Sequence, residues 1–225
     1  MSKIALVTGA TSGIGEATAM IFAENGIDVI ITGRREDRLN ILKNKLQAMN
    51  VRVLSLCFDV RSEEDVASNL GNLPSDWKDV DILVNNAGLA AGLSTFQDGD
   101  SDDWNRMIDT NIKGLIYVTR TISPGMIERQ KGHIINIGSI AGKEVYPNGN
   151  VYCATKHAVD AITKGMRIDM LPHNIKVTQV CPGAVETEFS IVRFHGDKER
   201  ADKVYEGFDN LVAKDIADCI WFVVS

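Results

Sequence analysis

Short, continuously apolar runs recur along the chain, separated by stretches with helical periodicity. Ile4-Ala-Leu-Val7 leads, a helical pattern from Ala17 to Asn25 follows and is stopped by Gly26, and Asp28-Val-Ile-Ile-Thr32 comes next. Apolar runs this short, without polar alternation, predict strands covered on both faces. The same order continues. A helix is predicted over 36–49, with Leu39, Leu42 and Leu46 on one stripe, then a strand over 51–58 and a helix over 63–70. A loop over 73–80 carries Pro74; a strand over 81–84, a long helix over 102–128 and a strand over 133–137 come after it. A helix over 153–171, a strand over 175–180 and a helix over 215–224 complete the pattern. Strand–helix alternation of this kind predicts an α/β fold, a doubly wound parallel sheet with helices on both faces. Residues 188–210 lack a continuous apolar face and read as a lid. With 225 residues and 44% hydrophobic content, one domain over 1–225 is the simplest division.

Composition narrows the partners. The net charge is -6 and no Lys/Arg run exceeds two, which argues against nucleic acid or an anionic membrane. No stretch approaches the ~20 apolar residues of a membrane helix. The N-terminus runs straight into a strand without the regions of a signal peptide, so a cytoplasmic protein is expected. The cysteines, at 57, 153, 181 and 219, form no Cys-x-x-Cys pair, and three are expected as small buried hydrophobes. Histidines at 133, 157, 173 and 195 show no metal-ligand spacing, so no metal is expected.

The first strand is followed at once by Thr8-Gly-Ala-Thr-Ser-Gly-Ile-Gly15. A glycine turn at a helix start exposes backbone N–H groups at the positive end of the helix dipole, which suits a pyrophosphate. Gly9 would allow the turn, Gly13 the close approach of a phosphate, and Gly15 the packing of helix on strand. Placed between two strands, the motif favours a Rossmann-type dinucleotide site over a bare structural turn. The second strand ends Thr32-Gly-Arg-Arg35, with no acid to bind a ribose diol. Two guanidiniums there favour the 2′-phosphate of NADP; the plainer reading is a pair of solvated charges. Asp59-Val60 is placed to flank an adenine, and Asn85-Asn-Ala-Gly88 suits a floor beneath a ligand.

Tyr152 and Lys156 stand four apart, which puts a phenol and an ammonium on one helix face. A phenol near ~10 is a poor acid or base at neutral pH, and a nearby cation is expected to lower it. Ser139, closing a strand, would hold the oxygen that Tyr152 protonates. Taken alone the pair is an ordinary surface Tyr and Lys; the other motifs shift the balance. Asn111, amid apolar neighbours within a helix, reads as a buried polar role.

With these residues together, the chain resembles the classical short-chain dehydrogenase/reductase family over essentially its full length. The residues that carry the likeness are Thr8-Gly-x-x-x-Gly-Ile-Gly15, Asn85-Asn-Ala-Gly88, Asn111, Ser139, Tyr152-x-x-x-Lys156 and Pro182-Gly183. The resemblance implies strand order 3-2-1-4-5-6-7, and Tyr152 as the acid/base. It also implies that Lys156 binds the nicotinamide ribose and depresses the Tyr152 pKa, and that Asn111 anchors a proton-relay water. Cofactor contacts are implied at Gly9, Thr11, Ser12, Gly13, Ile14, Gly15, Arg34, Arg35, Asp59, Val60, Asn86, Ala87 and Gly88. Pro182, Gly183, Val185 and Thr187 would embrace the carboxamide. Members are commonly tetramers packed through the fourth and fifth helices, and a homo-tetramer is expected. Family chains run some tens of residues further, so the seventh strand is expected to be missing here.

The likeness is greater still to a subgroup of bacterial NADP-dependent 3-hydroxy acid dehydrogenases. Thr32-Gly-Arg-Arg35, Gly132–Ser139, Gly149-Asn-Val-Tyr152 and Thr187–Asp197 carry it. It implies hydride transfer between NADP and acids such as serine, allo-threonine or 3-hydroxypropionate. Ser139 and Arg193 are the expected substrate contacts, Arg193 as the cation for a carboxylate. The alternatives are an uncharged ketone, sugar or 3-oxoacyl substrate, or a catalytically silent NADP-binding sensor.

Overall fold

Strands without polar alternation need cover on both faces, and the computed structural model supplies it. Residues 2–207 and 209–225 are described. Strands β1 (Ile4–Val7), β2 (Asp28–Gly33), β3 (Val53–Cys57), β4 (Ile82–Asn85), β5 (Gly132–Ile137) and β6 (Ile175–Val180) form one parallel sheet. Their order is β3-β2-β1-β4-β5-β6, as the resemblance implies for six strands. Successive side chains point to opposite faces. Ala5, Val7, Val29 and Ile31 therefore meet α1 (Gly13–Glu24), α2 (Glu36–Gln47) and α9 (Ala213–Val224) through Phe22, Leu39 and Ile220. Ile4, Leu6, Ile30 and Ile134 meet α3 (Glu63–Leu70) and α5 (Leu115–Glu128) through Val66, Val118 and Met126. Polar residues cross-link the middle of the sheet. Asn85 Nδ2 donates to Asn136 Oδ1 at 2.9 Å and to Thr119 Oγ1 at 2.8 Å, and Asn136 donates to Thr163 on α6 (Asn150–Met170).

Several expectations need correction. The helix over 102–128 is helical throughout but not uniform. It divides into α4 (Ser101–Ile108), a wider π-helical stretch at Asp109–Gly114, and α5. Such insertions recur at functional sites, and this one carries Asn111. The Tyr152 helix begins at Asn150 rather than Cys153. The loop over 73–80 contains a short helical turn at Ser75–Trp77. Only Cys153 is buried, while Cys57 and Cys219 are exposed. The stretch 188–210, of which residue 208 lies outside the described residues, holds α7 (Phe189–Arg193) and α8 (Lys198–Lys203). It is bracketed by β7 (Val185–Glu186) and β8 (Leu211–Val212), which pair in parallel as a second small sheet. Two-residue strands and helices this short fall below any periodicity signal.

His133, on β5, is buried, with Nε2 2.8 Å from Thr178 Oγ1. Burial, helped by the like charges of Lys176 and Lys3, holds its imidazole down at about 4. The unfolded chain takes up a proton near pH ~6.5 that the native state refuses, so stability falls as the pH drops from about 6.5 towards 4. We expect His133→Asn to remove about 2 kcal/mol of that acid-side loss. Urea unfolding of both proteins at pH 7 and pH 4.5 checks it; parallel pH curves would show that His133 contributes nothing.

Candidate active site

The glycine turn between β1 and α1 opens the site. Gly9 has φ +65°, and a Cβ there would lie 2.9 Å from Ala87 Cα; a Cβ on Gly15 would lie 2.4 Å from both Gly9 O and Asn86 Nδ2. Only glycine lets helix, turn and the end of β4 approach this closely. The turn is held from below. Thr8 Oγ1 accepts from the N–H groups of Asn86 and Ala87 at 3.0 Å, and Asn86 Nδ2 donates to Thr8 O and Gly9 O. The first N–H groups of α1 are thereby left facing a cleft of about 450 Å³ at the carboxyl ends of the strands.

One end of this cleft is cationic. Gly9, Thr11, Ser12, Gly13 and Ile14 line it together with Arg34, Arg35, Asp59 and Val60. Arg35 Nη2 donates to Ser12 Oγ at 2.8 Å and to Thr11 Oγ1 at 2.9 Å; its Nη1 is 2.9 Å from Glu188 Oε2. Arg34 Nη1 is 3.5 Å from Asp59 Oδ2, and Asp59 also pairs with Arg61. The Asp59 carboxyl is held below its usual range: burial raises it, but hydrogen bonds from Arg61 and the charge of Arg34 outweigh that. Ala87 and Gly88 form the floor with Asn86, and Pro182, Gly183, Val185 and Thr187 the opposite wall. Gly15 lies behind the turn and does not line the cleft.

At the other end stand Ser139, Tyr152 and Lys156. Ser139 ends the turn after β5, its Oγ accepting from Ala141 N at 3.1 Å. Tyr152 is buried, edge-on to Phe189 with ring centroids 5.7 Å apart. Lys156 Nζ donates to Ile137 O at 2.9 Å and lies 5.9 Å from the Tyr152 ring centre. The lowering of the Tyr152 pKa expected from Lys156 is opposed by burial. Burial pushes the phenol up, with the Ser139 hydroxyl pulling the other way, and burial pushes Lys156 itself down to about 8. Desolvation disfavours both charged forms.

Asn111 and Arg193 do not line this cleft, but Arg193 lines a small pocket that also has Tyr152 in its wall. Asn111 is spent on the scaffold: Oδ1 accepts from Leu89 N at 2.8 Å, and Nδ2 donates to Leu89 O and Thr155 Oγ1. Arg193 is 8% exposed, far from the solvated lid charge that a loop would carry. Its Nε donates to Gly92 O at 3.2 Å and its Nη2 to Tyr146 Oη at 2.9 Å, and its Cζ lies 5.8 Å from the Tyr152 ring centre. Among the described residues no carboxylate pairs with it. Sequence reasoning assigned no role to Tyr146, Arg38, Glu188 or Thr155. Arg38 alone left a signal, standing one turn beyond Arg35 on α2.

A comparison with protein families matches the short chain dehydrogenase model over residues 3–197. The NADP-dependent 3-hydroxy acid dehydrogenase of Salmonella typhi is 49% identical over 223 residues, 99% of this chain and 89% of that protein. Sulfoacetaldehyde reductase 2 of Chromohalobacter salexigens is 45% identical, over 100% of this chain and 89% of its own length. Among solved structures, the closed form of serine dehydrogenase complexed with NADP+ superimposes with a TM-score of 0.95 at 45% identity. That match covers 99% of this chain and 89% of the other.

Proposed function

We propose that this chain, which belongs to the short chain dehydrogenase family, transfers hydride between NADP and a 3-hydroxy acid. The observation that carries the acid is Arg193, a buried guanidinium beside Tyr152 with no carboxylate partner among the described residues. A buried cation without its counter-ion is costly, and a substrate carboxylate would supply one. Relatives named for 3-hydroxy acids and for an NADP complex of serine dehydrogenase support the same reading.

The residues fit the cofactor. The glycine turn offers N–H groups for a pyrophosphate, Arg34 and Arg35 for a 2′-phosphate, and the wall over Pro182–Thr187 for a carboxamide. When bound, NADP supplies the hydride acceptor or donor. The protein's own part is proton transfer and orientation. In oxidation the substrate hydroxyl gives its proton to Tyr152 Oη while its carbon loses hydride; in reduction Tyr152 donates the proton to the carbonyl oxygen. Ser139 holds that oxygen. Lys156 orients the cofactor ribose, and Asn111, held by its amide to Leu89 O and Thr155 Oγ1, anchors the proton-relay water. We place the whole in one domain, with 188–210 as the lid, acting in the cytoplasm as a homo-tetramer. Exposed Ile108, Ile116 and Ile168 on α4, α5 and α6 favour assembly through those helices. Among the described residues no helix is long and apolar enough to cross a membrane.

Initial rates of NADP reduction test the substrate class. Serine, allo-threonine, 3-hydroxypropionate and isethionate would be set against neutral alcohols of similar size. Turnover confined to the substrates that carry an ionised acid group supports the reading, and turnover of the neutral alcohols alone ends it. The cofactor choice has its own test. Replacing both arginines, Arg34→Ala with Arg35→Ala, is expected to lower kcat/KM for NADP by about 10- to 100-fold and leave NAD little changed. Equal kcat/KM for the two cofactors in the unaltered protein would refute NADP selectivity.

A further inference from the structure

We infer that Glu188 competes with the 2′-phosphate of NADP for Arg35, and so tunes how strongly this chain prefers NADP over NAD. The inference rests on the NADP reading above. Glu188 stands at the start of α7 and lines the cleft beside Arg35. Nε and Nη2 of Arg35 are tied to Thr11 Oγ1 and Ser12 Oγ in the glycine turn, which leaves Nη1 turned to Glu188 Oε2 at 2.9 Å. A phosphate drawn to this guanidinium therefore meets a carboxylate already on it. Two anions within hydrogen-bond range of one another repel, so the second displaces the first.

Arg38 provides the place to go. Its Nη1 donates to both Glu188 oxygens, at 2.8 and 2.7 Å, and it does not line the cleft. The hydrogen bond from Arg38 is the leading cause that holds the Glu188 carboxyl below its ordinary range. Arrival of the phosphate shifts Glu188 from a bridge between two arginines to a pair with Arg38 alone. Phe189, the next residue, packs on Tyr152, and α7 ends at Arg193. The exchange thus joins the phosphate end of the cleft to the substrate end through one five-residue helix.

The test is calorimetric binding of adenosine 2′,5′-bisphosphate and of 5′-AMP, which differ in the 2′-phosphate. These ion pairs are half-exposed, so shifts of about fivefold are expected. Glu188→Gln should bind the bisphosphate more tightly. Arg38→Gln should bind it more weakly, because Glu188 then rests on Arg35 alone. Neither variant should change 5′-AMP binding. If the pair merely braces the fold, both variants shift the bisphosphate in the same direction, and the inference is overturned. An unaltered protein that binds the two nucleotides equally would refute the NADP reading and this inference with it. A clear preference for the bisphosphate, unmoved in Glu188→Gln, would overturn this inference alone.

Discussion

Tyr152→Phe is expected to lower kcat by about 10³-fold while the protein still folds and binds NADP. The substitution removes one oxygen and leaves the ring, so the edge-on contact with Phe189 at 5.7 Å is kept. What is lost is the proton that passes to or from the substrate oxygen. Among the described residues, the other titratable side chain lining that end of the cleft is Lys156, whose Nζ is directed at Ile137 O. Ser139 has a hydroxyl there, but one already accepting from Ala141 N, and serine has no useful acidity near neutral pH. Because burial raises the Tyr152 phenol, it is protonated at neutral pH, the form needed for carbonyl reduction. Oxidation needs the phenolate, so its rate should rise with pH through the alkaline range where reduction falls. Single-turnover rates in both directions, with NADP affinity measured separately by fluorescence, check the prediction. A variant that keeps a tenth or more of the kcat would remove Tyr152 from the proton-transfer role.

The parts of this site legible in the sequence are those built from near neighbours. The turn after β1 needs glycine for backbone reasons that act within a few residues, so its purpose shows in the spacing alone. The strands themselves were legible because buried parallel strands announce themselves as apolar runs, whereas their order came from the family resemblance alone. What was not legible depends on burial and distant partners. A phenol and an ammonium four residues apart suggest that one charge stabilises another. In the folded chain Lys156 is turned towards the end of β5, and desolvation dominates both groups. Arg193 was expected to reach for a carboxylate from a lid over 188–210. Its restraints, Tyr146 and Gly92, lie 47 and 101 residues away in sequence, and no local pattern marks either. The small β7–β8 sheet was invisible for a simpler reason, being two residues deep.

Arg193→Met carries the second large effect. Kcat/KM for serine is expected to fall about 30- to 100-fold, mostly through KM, because a charge-assisted contact to a buried carboxylate contributes roughly 2–3 kcal/mol. The guanidinium is already oriented, with Nε on Gly92 O and Nη2 on Tyr146 Oη, so it need not be ordered when substrate arrives. Those same bonds hold α7 against the loop at Gly92 and the segment at Tyr146, and their loss is the main alternative cause of a defect. A neutral secondary alcohol separates the two. If Arg193 works by charge, Arg193→Met leaves or improves the slow turnover of the neutral substrate while the acid loses its advantage. If the residue only staples the lid, both substrates suffer alike. Arg193→Lys sharpens the distinction, since it keeps a cation but not the planar fork that reaches Gly92 and Tyr146 together. Partial recovery of serine turnover in Arg193→Lys, without recovery in Arg193→Met, is the outcome a carboxylate clamp requires.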